Sequence, residues 1–205
     1  MSDLFLPEDV RSSLTPFDGP GHQAAMPAGT MVGEAGPRGM YRLCPAQSSA
    51  PGPRIQVLAS GGAVHRALEA QGLLASDWGV GADVWSVTSW TGLRHEALDA
   101  DRARLRGEDR VPYLTAALSG ACGPVLAVSD SARRVPDQIG PWIEQDFASL
   151  GPDGPGRPDT PASVRGDFPV DAATIVVTAL HRLRRLGVVD PETVVNCRVR
   201  YGWWG

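Results

Sequence analysis

The 205-residue sequence contains no lysine, so all 19 of its basic residues are arginine. That absence closes every mechanism that needs a lysine amine: pyridoxal phosphate Schiff bases, lysine aldolases and the phosphate-binding lysine of a P-loop. Arginine cannot replace it, because the guanidinium stays protonated and is a poor nucleophile. Cysteine is scarce too. Cys44, Cys122 and Cys197 are odd in number and far apart, which argues against a disulfide framework and shows no zinc-ligand spacing, so buried or half-buried thiols are expected. No apolar run approaches the roughly 20 residues of a membrane-spanning helix. The opening MSDLFLPEDV lacks the basic region and long apolar core of a secretory signal, and a cytoplasmic location is expected. With a net charge of −4 and no basic stripe interleaved with aromatics, nucleic acid is excluded as the main partner.

Familiar site motifs are also missing. There is no G-x-S-x-G, hence no support for an α/β-hydrolase nucleophile. Ser60-Gly61-Gly62 follows an apolar run, but its glycines are adjacent and no dinucleotide fingerprint G-x-G-x-x-G forms, so it reads as a tight turn serving a helix. Gly79 and Gly81 precede a strand, the wrong side for cradling a phosphate. His65, His95 and His181 fall on polar helix faces and form no metal-ligand spacing with carboxylates. His22 differs: it lies between Gly21 and Gln23, where helical packing gives it no reason to exist.

What is present is an α/β pattern. Arg54 to Ala59 is a short apolar strand, and Ala63 to Ala75 has helical period with Val64, Ala67, Leu68, Gln71 and Leu74 on one face. Trp78-Gly79-Val80-Gly81 then turns into Ala82 to Ser89, whose β-branched and aromatic content predicts a strand covered on both faces, read as the central strand of a parallel sheet. These segments make one βαβ unit. Leu93 to Arg106 predicts a charged helix with Leu93, Ala97, Ala100 and either Ala103 or Leu105 inward. Tyr113 to Leu118 predicts another helix, Pro124 to Ser129 the third strand, Asp137 to Phe147 a helix interrupted near Gly140-Pro141, and Phe147 to Leu150 a fourth strand. Asp171 to Leu186 is the clearest helix, capped by Asp171, with Ile175, Val176, Ala179, Leu180, Leu183 and Leu186 as its stripe and Gly187 as its stop. Asp190 to Arg200 predicts one more short helix, followed by a tail over 201–205.

Residues 1–53 read as an extended Pro/Gly-rich arm, too apolar at Leu4, Phe5, Leu6, Phe17, Met26, Met31, Met40 and Tyr41 for a free linker, and therefore expected to lie on another surface. Within the arm Gly39 to Leu43 is compatible with an edge strand. Gly151 to Pro161, GPDGPGRPDTP, is a loop by composition at the carboxyl end of a strand, where such sheets keep sites and interfaces. Its Asp153, Arg157 and Asp159 read either as a salt-bridged turn or as groups facing a partner or the mouth of a cleft.

Several stretches taken together resemble one family. GMYRL (39–43), VLASGG (57–62), WGVGADVWSVTSWT (78–91), RVPY (110–113), LGPDGPGRPDT (150–160) and FPVDAATIVVTAL (168–180) resemble, in order and spacing, the C-terminal domain of homodimeric pyruvate dehydrogenase first components, thiamine diphosphate enzymes related to transketolase. The resemblance implies a doubly wound, mostly parallel sheet of about five strands over 54–200, with the arm reaching a partner. It further implies one subunit of a split enzyme, inert alone, in an α2β2 heterotetramer whose other subunit holds thiamine diphosphate and Mg2+. The reaction implied is transfer of a two-carbon unit from a ketose or 2-oxoacid to a lipoyl or acyl carrier domain, in a setting such as natural-product biosynthesis. No catalytic, cofactor-binding or metal residue is carried over. The partner or cleft-mouth candidates are His22, Asp153, Arg157, Asp159 and Thr160. The family's loop reads roughly G-T-D-G-F-G-R-S-D-T-R; here Pro152, Pro155, Pro158 and Pro161 replace four of its residues, which implies a stiffer loop with a changed partner or substrate. A non-catalytic binding or regulatory module of the same fold is the alternative expectation.

Overall fold

The computed structural model describes residues 38–46, 52–152 and 170–203. Strand β2 (Arg54–Ala59) is buried from its second residue onward, as expected for a strand with helices on both faces. Around it are β1 (Met40–Cys44), β3 (Gly81–Val87), β4 (Val125–Val128) and β5 (Phe147–Leu150), in the order β1-β3-β2-β4-β5. β2 pairs in parallel with β3 and β4, β4 in parallel with β5, and β1 antiparallel with β3. The sheet thus begins at Met40, inside the stretch assigned to the arm. The expected central strand is corrected: β2 lies in the middle and β3 one place from the edge. Composition could not distinguish them, because β1 covers the outer edge of β3 and buries it as deeply as a middle strand.

Helix α1 (Ala63–Trp78) carries the chain from β2 to β3 on one face, joined there by α5 (Ala172–Arg185) and α6 (Pro191–Arg200) in an aliphatic core with Val57, Leu74, Val84, Leu126, Ile175 and Leu180. The return to β4 passes over the other face through α2 (Trp90–Leu105) and α3 (Tyr113–Leu118), and α4 (Arg134–Asp137) follows between β4 and β5; the core on this face packs Leu58, Trp85, Trp90, Leu93, Leu114 and Ile139. Alternate residues of β4 feed the two cores, Leu126 and Val128 on one side and Val125 and Ala127 on the other. On α2 the inward choice is Ala103, while Leu105 stays 89% exposed. The helix expected over Asp137–Phe147 with an interruption near Gly140-Pro141 is indeed interrupted there, but its two pieces are not helices: the α turn ends at Asp137, a 3-10 turn spans Gly140–Trp142, and an extended approach leads to β5. Pro136, Gly140 and Pro141 leave too few uninterrupted residues for a longer helix, and Ile139 and Ile143 enter the core as isolated anchors.

Polar side chains tie the elements together. At the amino end of the sheet Gln56 donates to Asp83 at 3.0 Å and to the Cys122 carbonyl at 3.0 Å, and accepts from Trp85 Nε1 at 2.9 Å. Asp83 also accepts from the Ala46 backbone at 3.0 Å, so both buried side chains are satisfied. Arg182 of α5 donates to Asp146 at 2.6 Å and to the Phe147 carbonyl at 2.9 Å, fastening α5 to the start of β5. The end of the chain is clasped to α1, Asp77 taking Arg200 at 2.9 Å and the Tyr201 hydroxyl at 3.0 Å.

Candidate functional site at the carboxyl end of the sheet

The chain order reverses between β2 and β4, so their carboxyl ends form the switch point at which doubly wound folds bind ligands. Here β2 runs out at Ser60-Gly61-Gly62 and β4 at Ser129-Asp130-Ser131. The two turns are bonded to each other. Gly62 N–H, at the start of α1, donates to Asp130 Oδ2 at 3.0 Å. Trp90 Nε1 donates to Ser60 Oγ at 2.8 Å, Ser60 Oγ lies 3.5 Å from Ser129 Oγ, and Ser131 N–H donates to Ser129 Oγ at 3.1 Å. Gly61 sits at φ +57°, and a Cβ there would lie 2.6 Å from Asp130 Oδ2, so the glycine gives the carboxylate its seat.

This arrangement decides the electrostatics of the crevice. The start of α1 carries the positive end of the helix dipole, the usual attraction for a phosphate. Asp130 already supplies the negative charge. A second anion about 4 Å from that carboxylate would be repelled by about 1–4 kcal/mol, depending on exposure. One strand further out, Arg133 Nε donates to Ser149 Oγ at 3.0 Å, and the Ser149 hydroxyl makes a short bond to Asp137. Beyond it the 151–169 connection is rooted: Arg133 N–H donates to the Pro152 carbonyl at 3.0 Å, and Gly151 is walled in by the backbone of Ser131 and Arg133. Its far root is Asp171, whose carboxylate caps α5 by accepting from Thr174 N–H at 2.7 Å.

His22, Asp153, Arg157, Asp159 and Thr160 lie outside the described residues. Of the other histidines, His65 and His95 are exposed on their helices as expected. His181 departs from the solvated role: it is half-buried, its Nδ1 has no hydrogen-bond partner among the described residues, and burial with Arg198, Arg184, Arg185 and Arg182 nearby lowers its pKa. Cys197 is buried and its pKa is pushed up to about 11, mainly by desolvation, which leaves an unreactive thiol. Cys44 is half-buried, but Cys122 is exposed, against expectation. Asp130 was not singled out from the sequence, although an acid directly after an apolar strand was a visible signal.

Comparison with known proteins now becomes informative. The family model described as the transketolase-like TK C-terminal domain matches residues 39–171, from the start of the sheet to the cap of α5. The chain belongs to that family. Among its relatives, the pyruvate dehydrogenase E1 component of Mycolicibacterium smegmatis is 43% identical over 198 residues, covering 95% of this chain and 21% of the relative. That of Mycobacterium tuberculosis is 44% identical over 167 residues, 80% of this chain and 18% of the relative. A solved transketolase from Leishmania mexicana aligns with 77% of this chain and 20% of its own at TM-score 0.46 and 21% identity. The chain spans about a fifth of the length of the curated relatives it matches.

Thiamine diphosphate, the coenzyme implied by this transketolase-like family, does not fit the described residues of the domain. The helix start at the switch point is held by Asp130, and among the described residues no group of three His, Cys, Asp or Glu side chains is placed to hold a metal ion. No reaction step is assigned through the coenzyme here. Nor is any helix among the described residues long and apolar enough to cross a membrane.

Proposed function

We propose that this transketolase-like C-terminal domain is the assembly domain of a thiamine diphosphate-dependent enzyme of the pyruvate dehydrogenase E1 kind, acting with a separate polypeptide that holds the coenzyme and Mg2+. The observation that carries this is identity of 43% to a pyruvate dehydrogenase E1 component across 95% of the chain. The crevice supports it, because Asp130 occupies the helix start where a coenzyme diphosphate would otherwise be attracted. The assembly is a cytoplasmic heterotetramer, two copies of each chain. Its reaction cleaves a carbon–carbon bond beside the carbonyl of a ketose or 2-oxoacid and passes two carbons to a lipoyl or carrier-domain acceptor, as in a natural-product pathway. The coenzyme, when bound in the partner, supplies the electron sink.

Within that assembly the domain's own residues hold its shape and place the 151–169 connection. Gly151 and Asp171 are the fixed residues at its two ends; on this reading Asp153, Arg157, Asp159 and Thr160 face the partner or the cleft mouth. Residues 1–53 extend onto the partner, except for the stretch that β1 contributes to this domain's own sheet, and His22 reaches the entrance. The test is reconstitution with the polypeptide encoded beside it that bears the thiamine diphosphate signature. Neither chain alone should turn over a 2-oxoacid or ketose, and the mixture should elute as one complex with activity. A partner fully active by itself removes the proposal, and one active alone but differently controlled when mixed favours a regulatory module.

A further inference from the structure

On the α2 face, away from the switch point, a cleft of about 300 Å3 opens between the end of α2, the connection into α3 and the 3-10 turn. Its walls include Val111, Pro112, Pro141 and Trp142, and Val111 is 57% exposed. Leu105, the most exposed large aliphatic among the described residues, sits at the end of the adjoining helix. Trp142 is held in place from two sides, its indole N–H donating to Asp101 at 2.8 Å and its carbonyl accepting from Thr115 Oγ1 at 2.8 Å.

The charges in the cleft are unevenly used. Arg110 is tied to Glu96 at 3.2 Å and Arg104 lies 3.8 Å from Asp101, so both cations have carboxylates of their own. Asp109 and Glu144 line the same cleft and, among the described residues, make neither an ion pair nor a side-chain hydrogen bond. The uncompensated charge is therefore negative, beside a fixed indole and exposed aliphatic groups. Its complement is a cation on an apolar stem.

We propose that this cleft is a docking site for a partner polypeptide that presents an arginine or lysine flanked by aliphatic residues, the cation lying between Asp109 and Glu144 and the flanking side chains on Val111 and Trp142. A long basic side chain suits both demands, laying its methylenes on the apolar wall and its head on the carboxylates, with the indole adding a cation–π attraction. The inference goes beyond the assembly reading by naming a surface. It rests on that reading only in taking the occupant to be a polypeptide.

The test titrates the 15N-labelled full chain with a blocked pentapeptide of arginine flanked by leucines, and reads the Trp142 indole N–H resonance. The expected result is a saturable shift with arginine, lost when citrulline, its neutral counterpart, replaces it. Affinity should weaken about five- to tenfold in the Asp109→Asn, Glu144→Gln double variant, the size expected for two partly exposed ion pairs. Equal shifts with arginine and citrulline, no shift at all, or unchanged affinity in the variant overturn the proposal. The citrulline comparison uses the unaltered chain, so it stands even if the variant misfolds. It also reads out without any catalytic partner, and so can fail while the reconstitution succeeds.

Discussion

The carboxyl end of the sheet and the cleft beside α3 hold similar chemical groups and use them in opposite ways. At the carboxyl end Asp130 meets the first N–H of α1, Trp90 meets Ser60, and Ser149 joins Arg133 to Asp137, so charge and hydrogen-bonding capacity close on themselves. In the cleft Asp109 and Glu144 make no ion pair or side-chain hydrogen bond among the described residues and lie next to exposed aliphatic side chains. A carboxylate bonded within the fold stabilises it and repels a second anion, whereas one left without a partner contributes little to stability and is free for recognition. The proposed docking site therefore lies on the flank of the domain, where carboxylates are left over, and not in the crevice, where they are consumed.

Substitutions at the two places should therefore differ in kind. The largest loss is expected from Gly151→Ala, because the added methyl would stand 2.8 Å from the Ser131 carbonyl and 3.0 Å from Arg133 N, both backbone. About 2–4 kcal/mol of stability should disappear, read from urea unfolding midpoints. Next comes the seat of Asp130. Gly61→Ala should cost about 2 kcal/mol and Asp130→Ala about 1 kcal/mol, and the double variant should lose about 1 kcal/mol less than their sum, since both break the same contact. Strict additivity would mean that the two residues do not act as one closure.

A smaller effect follows from His181, which belongs to neither region and serves as their control. Its pKa is lowered in the folded state, so below the unfolded value of about 6.5 the unfolded chain binds more protons. This contribution to stability is present above that pH and is lost as pH falls from about 6.5 toward the folded value. Unfolding midpoints at pH 7.5 and 5.5 should converge in His181→Gln relative to the unaltered chain, in which burial and the neighbouring arginines hold the imidazole neutral. The smallest change is expected in the cleft, where Asp109→Asn and Glu144→Gln should alter stability by no more than about 0.5 kcal/mol. A loss above about 2 kcal/mol there would show that these carboxylates are structural and erase the contrast.

The parts of this molecule legible from sequence are those set by local pattern. β2, α1, β4 and α5 follow directly from apolar period and turn residues, and even the Asp171 cap and the Gly187 stop were visible. The rank of β3 in the sheet was not, because burial on two faces cannot tell a middle strand from one covered by a short antiparallel neighbour. In the stretch before β5 the interruption at Gly140-Pro141 was legible, but not that the residues on either side of it are too few to form helices. Asp130 stayed hidden because its meaning depends on Gly62, distant in sequence and adjacent only once β2 and β4 pair. Asp109 and Glu144 were not singled out, because nothing local in the sequence shows that Arg104 and Arg110 pair with Asp101 and Glu96.

The most direct measurement is calorimetric titration of thiamine diphosphate with Mg2+ into the purified chain, and then into its mixture with the coenzyme-bearing partner. The account predicts no heat of binding for the chain alone and saturable binding in the mixture. Tight, stoichiometric uptake by the chain alone would contradict it.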